Sequence, residues 1–380
     1  MISIIDKHNC CGCEACVQAC PKHCISFEED AEGFRYPNVD TSLCVECRAC
    51  EKVCPVIDPF GIRKPQQVLA AINPDEKIRE KSSSGGIFTM LAEKIICEDG
   101  VVFGVRFDEQ WQAVFDYTET VEGLAAFRGS KYLQARVGDS YIRCKEFLDQ
   151  GRQVLFSGTQ CQIAGLLHFL RKPYSNLLAV DFICHGVPSP KVWSKYLDEV
   201  VSAGRRAISD ISFRDKRLGW KQYSLVIRYS ELGNIYTYRS KFTENPFMRA
   251  FLGNLILRPS CYKCPTKSGR SHADITIADF WGIQQIHPEM DDDRGTSLVL
   301  IHTDKGKQAL HCEKIISVPT SYDDISHFNP SIAFSAPCHP KRIEFFNALK
   351  SQTDLHILIY KGLRPSILIR IKNLLRHILR

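Results

Sequence analysis

Cys10-Cys11-Gly12-Cys13-Glu14-Ala15-Cys16-Val17-Gln18-Ala19-Cys20-Pro21 and Cys44-Val45-Glu46-Cys47-Arg48-Ala49-Cys50-Glu51-Lys52-Val53-Cys54-Pro55 are two runs of one pattern, offset by 34 residues. In each, three cysteines are separated by two residues, a fourth follows after three more, and a proline comes next. Three thiolates at that spacing wrap a tight loop around one cubane of iron and sulfide, while the fourth reaches further along. Where two such runs share a module, the fourth cysteine of each serves the other cube. Cys10, Cys13, Cys16 and Cys54 therefore read as ligands of one 4Fe-4S cluster, and Cys44, Cys47, Cys50 and Cys20 as ligands of a second.

The rest of the segment agrees with this reading. Gly12, Ala15, Ala19 and Ala49 let backbone approach the inorganic sulfides, and each proline turns the chain out of its loop. Ile25-Ser26-Phe27 and Gly33-Phe34-Arg35-Tyr36 predict a short hairpin between the two halves. Zinc is disfavoured, because it prefers paired CxxC units far apart. The pattern is that of two-cluster bacterial ferredoxins, so residues 1–61 are expected to form an α+β two-cluster module. Cys11 and Cys24 break the repeat and read as ordinary thiols.

The chain has 380 residues, more than one hydrophobic core usually serves, and is 44% hydrophobic and 24% charged. It contains no run of eighteen apolar residues, and Met1-Ile2-Ser3-Ile4-Ile5-Asp6-Lys7 lacks the pattern of a secretory signal. A cytoplasmic location is expected. In that reducing compartment, 18 cysteines point to metal rather than disulfides. The net charge of +6 comes from Lys361, Arg364, Arg370, Lys372, Arg376 and Arg380, which follow the last acidic residue, Asp354. Up to that point 43 bases match 43 acids. A nucleic-acid binder would spread basic surface over a whole domain, and none is expected here.

Asp58-Pro59-Phe60-Gly61 and Lys64-Pro65 punctuate the chain, and strand and helix alternation follows. An α/β domain with a mixed or parallel sheet is expected, in two parts, residues 66–145 and 146–320, with a helical tail over 321–380. Val68–Ile72 and Val101–Val105 read as strands, and Ile87–Ala92 as the start of a helix. The turn Ser82-Ser83-Ser84-Gly85-Gly86 could offer N–H groups and hydroxyls to a phosphate or a flavin edge, or simply cap and pack the helix. No GxGxxG occurs, which gives no support for a standard dinucleotide site.

Gln153–Phe156, Gln162–Arg171 and Leu177–Ile183 read as a βαβ unit with adjacent parallel strands. Cys161 and Cys184 then both fall at the carboxyl edge of the sheet, where open α/β folds hold ligands. With Cys261 and Cys264 they could complete a third four-thiolate site, and spacing alone leaves zinc and iron open there. Asp274–Gly282 reads as a buried strand ending in an aromatic turn. Cys97, Cys144, Cys312 and Cys338 have no partner at ligand spacing and are expected to be small buried hydrophobes. His185 reads either as a proton donor or as a histidine hydrogen-bonded beside the metal site.

Ser83-Ser84-Gly85-Gly86, Gly129-Ser130-Lys131-Tyr132, Gly158-Thr159-Gln160-Cys161-Gln162-Ile163-Ala164-Gly165, Ile183-Cys184-His185-Gly186-Val187-Pro188, Phe213-Arg214-Asp215-Lys216-Arg217-Leu218-Gly219-Trp220 and Asp279-Phe280-Trp281-Gly282 come in an order that resembles the family of coenzyme F-420 hydrogenase/dehydrogenase beta subunits. The resemblance runs from about residue 66 to 305. It implies an FAD-binding α/β domain with its own 4Fe-4S cluster, moving electrons between iron–sulfur carriers and an organic or deazaflavin acceptor. Carried onto this chain, the ligands of that third cluster are Cys161, Cys184, Cys261 and Cys264. FAD is expected against Ser83, Ser84, Gly85, Gly86, Lys131, Gly158 and Thr159, where Lys131 reads either as stabilising the reduced flavin or as a solvated charge. The family loop usually has proline where Gln160 stands. Nothing in the residues establishes use of coenzyme F-420 itself.

The expected function is that of an iron–sulfur flavoprotein oxidoreductase fed by a ferredoxin-like donor. The rival is a non-catalytic subunit wiring a partner redox enzyme to ferredoxin. After Pro365, Ile367, Leu368, Ile371, Leu374, Leu375 and Ile378 recur at helical spacing opposite a basic face. That amphipathic helix suits packing on the protein's own body, a peripheral membrane contact or a docking face for an acidic partner.

Overall fold

The computed structural model describes residues 1–201, 204–311, 315–350 and 354–364. In the first sixty residues each cysteine run closes into a loop that ends in one helical turn, Ala15–Gln18 and Ala49–Lys52. Both turns are entered through a left-handed residue at the same place in the repeat, Glu14 at φ 60° and Arg48 at φ 58°. The sequence repeat is thus also a backbone repeat, held at a conformation that costs an ordinary residue about 1 kcal/mol. Between the halves, β1 (Ile25–Glu29) and β2 (Arg35–Val39) form the expected antiparallel hairpin.

The remaining chain is built on one eight-stranded sheet. Its strands are β3 (Gln67–Ile72), β4 (Val101–Phe107), β5 (Ala113–Thr118), β6 (Val154–Thr159), β7 (Leu177–Phe182), β11 (Ile275–Asp279), β12 (Ser297–Ile301) and β13 (Ile316–Pro319), in the order β13-β3-β12-β11-β7-β6-β4-β5. The central strands β4, β6, β7 and β11 run parallel, and both flanks are antiparallel, so the sheet is mixed. Because β3 lies between β13 and β12, residues 66–145 and 146–320 share this sheet. The parallel pair β6 and β7, joined by the helix Gln160–Leu170, is the expected βαβ unit. A separate antiparallel sheet of β8 (Ile208–Asp215), β9 (Ser224–Glu231) and β10 (Asn234–Lys241) was not anticipated.

The N-terminal module is not tethered on a loose linker. Phe34, Ala15, Cys13 and Val53 belong to the same core as Phe156, Trp193 and Phe247 of the main body. Fully burying a side chain such as Phe34 contributes about 2 kcal/mol. The hairpin tip is gripped as well, with Ser189 Oγ donating to the Glu32 carbonyl and Arg342 forming a two-pronged ion pair with the Glu32 carboxylate. In the segment that composition marks as a boundary, Phe60 is stacked between the rings of His168 and His272, at 4.0 and 4.4 Å.

Beyond residue 320, helices Arg342–Ala348 and Leu355–Leu363 pack on the main body. The amphipathic stretch after Pro365 lies outside the described residues. No helix among the described residues is long and apolar enough to cross a membrane. Two expectations for isolated cysteines need correction, since Cys97 and Cys338 are exposed and only Cys144 is buried, while Cys312 lies outside the described residues. Cys97 ends its helix, beyond the positions that face the sheet.

Candidate functional site

The first cysteine set assembles across the repeat. Cys10, Cys13, Cys16 and Cys54 are all buried. The Cys16 thiol is pushed up chiefly by burial and then by Cys10, Cys54 and Cys50 around it. Burial likewise raises Cys54, with Cys10 and Cys50 adding to it. Cys54 has therefore crossed to the loop of the other half. Such thiols cannot ionise together in a dry site unless cations join them, and iron in a cubane is a cation set of the right kind.

In the second set, Cys20 and Cys50 are buried, Cys44 is half-buried and Cys47 is exposed. Cys24, read from the sequence as an ordinary thiol, stands among them. Its Sγ lies 3.4 Å from that of Cys20, and it also contacts the Cys44 thiol. Cys11 is likewise no bystander. It lies next to Cys13 in the loop and lines the same cavity as Cys161, a residue of the third set. The only sequence signal for either residue was its closeness to a ligand.

The third set lines one cavity, which Cys161, Cys184, Cys261, Cys264 and Cys11 share. Different elements deliver each thiol. Cys161 sits in the first turn of the helix Gln160–Leu170, whose N-terminus Thr159 and Gln162 close as a capping box. Cys184 follows β7 at the carboxyl edge of the sheet, and Cys261 and Cys264 come from the short turn Pro259–Lys263 and its cap. Three of the sulfurs already have polar neighbours, Thr159 Oγ1 at 3.2 Å from Cys161, the Val187 N–H at 3.4 Å from Cys261 and Thr266 Oγ1 at 3.3 Å from Cys264. Burial pushes the Cys184 thiol up to about 12, Lys267 works against this, and Cys161 and Cys264 reinforce it. The buried Lys267 ammonium donates to the Cys184 and Ser331 carbonyls.

Among the described residues no three such side chains meet at single-ion spacing. A cubane takes its thiolates one per iron, so its ligands need not converge on a point. Half-buried, mutually repelling thiols delivered by three separate segments fit that requirement.

The expected flavin contacts divide into two groups. Ser83, Ser84, Gly85 and Gly86 form the turn that meets Ser130, the residue before Lys131, and Gly158 and Thr159 lie on the side of the third cysteine set. The turn is already satisfied internally. Ser130 N and Oγ donate to Ser83 Oγ, Ser84 Oγ donates to the Thr296 carbonyl, and the Gly85 N–H goes to Ser297 Oγ. A Cβ on Gly85 would lie 2.5 Å from the Ala71 carbonyl oxygen, so close packing accounts for this glycine. Gly158 packs against Phe115, and the Thr159 hydroxyl is committed to Gln162. These residues do not form an open phosphate cradle.

What does gather beside the turn is positive charge. Lys131 Nζ donates to the Arg128 and Gly129 carbonyls at 3.2 and 3.3 Å, and burial lowers its amine to about 7. Arg214, which had no role assigned from sequence, pairs with Asp279 at 2.7 Å, reaches Tyr132 and the Ser83 carbonyl, and lies 4.0 Å over the Tyr223 ring. Lys216 Nζ donates to the carbonyls of Arg79, Arg294 and Ser84, and burial brings it down to about 8. His185 Nε2 meets Asn254 Oδ1 at 2.7 Å and sits edge-on to Phe251, so it is hydrogen-bonded beside the third set.

Three family models match the chain. A 4Fe-4S dicluster domain model matches residues 9–57. Two models describing coenzyme F420 hydrogenase/dehydrogenase, beta subunit, match in order, the N-terminal one over residues 68–139 and the C-terminal one over 151–316. One of the subunits of the F(420)H(2) dehydrogenase of Methanosarcina mazei is 24% identical over 224 residues, which cover 55% of this chain and 63% of that protein. An uncharacterized ferredoxin of Methanocaldococcus jannaschii is 35% identical over 52 residues, covering 14% of this chain and 66% of that protein. The chain thus spans just under two thirds of the length of each of these relatives. A chain of the F420-reducing [NiFe] hydrogenase complex from Methanosarcina barkeri superposes with a TM-score of 0.48 at 19% identity, covering 71% of this chain and 90% of that one. With both halves of one family matched in order across most of the main body, behind a dicluster domain, the chain belongs to the family of coenzyme F420 hydrogenase/dehydrogenase beta subunits.

Proposed function

We propose that this chain is an iron–sulfur electron-transfer subunit that carries electrons between a ferredoxin-like donor and a partner redox enzyme. The observation that carries this reading is the closeness of the first cysteine set to the third: Cys13 packs against Gly165 of the helix that carries Cys161, and Cys11 lines the cavity of the third set. Cubane clusters held by Cys10, Cys13, Cys16 and Cys54, by Cys20, Cys44, Cys47 and Cys50, and by Cys161, Cys184, Cys261 and Cys264 would each supply one-electron capacity. The protein's own residues do the rest. They fix Cys13 of the first set in the core shared with the main body, and they leave Cys47 at the surface beside exposed Leu43 and Val45, where a donor protein can approach.

A narrower reading, in which the chain also holds FAD and reduces an organic or deazaflavin acceptor, draws its support from the cations Arg214 and Lys216 beside Ser83 and Ser84, with Lys131 one residue on from Ser130, which bonds to Ser83. One preparation tests both readings. The anaerobically purified chain is expected to hold about twelve irons and matching acid-labile sulfide, and to give EPR signals after dithionite reduction. Stoichiometric flavin with turnover of an acceptor by the chain alone would favour the flavoprotein reading. A colourless preparation without labile sulfide would sink both.

A further inference from the structure

Arg258 belongs to the main body, yet it is completely buried against the loop of the first cysteine set, 248 residues away in sequence. Its Nε donates to the Cys10 carbonyl at 2.8 Å and its Nη1 to Gln134 Oε1 at 2.8 Å. Nη2 donates to the Arg35 carbonyl at 3.0 Å and points at Cys10 Sγ, 3.5 Å away. The guanidinium lies 4.3 Å from the centre of the Tyr36 ring. A Cβ on Gly12 would come within 3.0 Å of the Arg258 guanidinium carbon, so only glycine lets the loop and the arginine approach this closely.

Its partners are carbonyls, an amide and a thiol, and none is a carboxylate. An uncompensated buried charge is expensive, so this cation needs an anion nearby. Burial works against its charge, and Cys10, Tyr36, Cys11 and Cys261 favour it. Of these groups, Cys10 is the one it hydrogen-bonds.

We propose that Arg258 sets the reduction potential of the cluster held by Cys10, Cys13, Cys16 and Cys54, holding it above the value the same ligands would give alone. This rests on the reading of those cysteines as cubane ligands and adds the residue that tunes them. Reduction adds one negative charge to the cluster and its thiolates. A fixed cation with an N–H aimed at a ligand sulfur stabilises that reduced state more than the oxidised one, which raises the potential. The bland alternative is that Arg258 only ties the two modules together through its bonds to carbonyls, and it predicts no effect on potential.

The test is an EPR-monitored redox titration of the full chain and of Arg258→Lys and Arg258→Met, each checked for about twelve irons. In Arg258→Met one cluster is expected to lose at least tenfold in its reduced-to-oxidised ratio at fixed potential, which is 59 mV for one electron. The second cluster should stay put, and Arg258→Lys, which keeps the charge without the fork, should fall in between. Unchanged potentials at full iron content would overturn the proposal. The unaltered protein supplies a second test, because incorporation of 15N-arginine should add a nitrogen coupling to the pulsed-EPR spectrum of one reduced cluster. Absence of that coupling in an iron-replete sample also overturns the proposal, whereas absence of iron would refute the cluster assignment beneath it.

Discussion

A Cβ on Gly165 would lie 3.0 Å from both Cβ and Sγ of Cys13, so the helix that carries Cys161 touches the loop of the first cysteine set with no room for a methyl group. Glycine inside a helix costs about 1 kcal/mol relative to alanine. Here that cost is offset by the close approach of two cysteine sites.

Gly165→Val should therefore destabilise the protein. Overpacking a filled core costs about 1–3 kcal/mol, and the branched side chain brings little propensity gain in return. The expected result is a lower Tm and loss of iron from the first site. A variant as stable and as iron-rich as the parent would show that the joint is loosely packed.

Ligand and neighbour roles can be separated among the cysteines of the joint. Cys184→Ser should lower iron by about four of about twelve per chain, with the EPR signals of the other two clusters retained. Cys11→Ala should leave iron near twelve, since four other thiols complete each of the sites it touches. If Cys11→Ala loses four irons, the ligand assignment is wrong at that joint.

These residues also mark how far the sequence could be read. The two N-terminal cysteine runs were legible because their pattern is local and repeated, and Glu14 and Arg48 carry the repeat into the backbone. Cys161 and Cys184 were reachable through the βαβ unit, which fixes where two distant thiols emerge from a sheet. Arg258, Lys267 and Arg214 were not legible in those roles, because an isolated cation has no periodicity and each finds its partners far along the chain. That Cys11 and Cys24 stand close to the ligand sets was not legible, since a repeat identifies what recurs and says nothing of what fits between. The Ser83-Ser84-Gly85 turn offered two readings, and its bonds to Thr296 and Ser297 favour the one based on packing.

The grip on the hairpin tip predicts a stability effect at a distance. Arg342 is buried and its guanidinium also donates to the Leu257 carbonyl, so Glu32→Ala would leave an unpaired charge between the two modules. Removing one partner of a buried pair costs about 3–5 kcal/mol, and because Glu32 retains some solvent access a loss of about 2–3 kcal/mol is expected. The double variant with Arg342→Met should recover part of that loss. Denaturant unfolding measures both, and equal stability of Glu32→Ala and the parent would mean that the pair does not hold the module.

Lys131 gives a pH-dependent test of the flavin reading. Burial lowers its amine to about 7, so it is mostly cationic at pH 6 and mostly neutral at pH 8. An anionic phosphate or reduced flavin placed beside it gains the attraction only when the amine is protonated. FAD affinity, followed by quenching of flavin fluorescence, should therefore be tighter at pH 6 than at pH 8, with the change centred near 7. Lys131→Met should bind more weakly at pH 6 and lose the dependence, because no charge is left to titrate. If FAD binds the parent equally well at both values, its Lys131 contact is refuted, and Arg214 and Lys216 become the cations to test next.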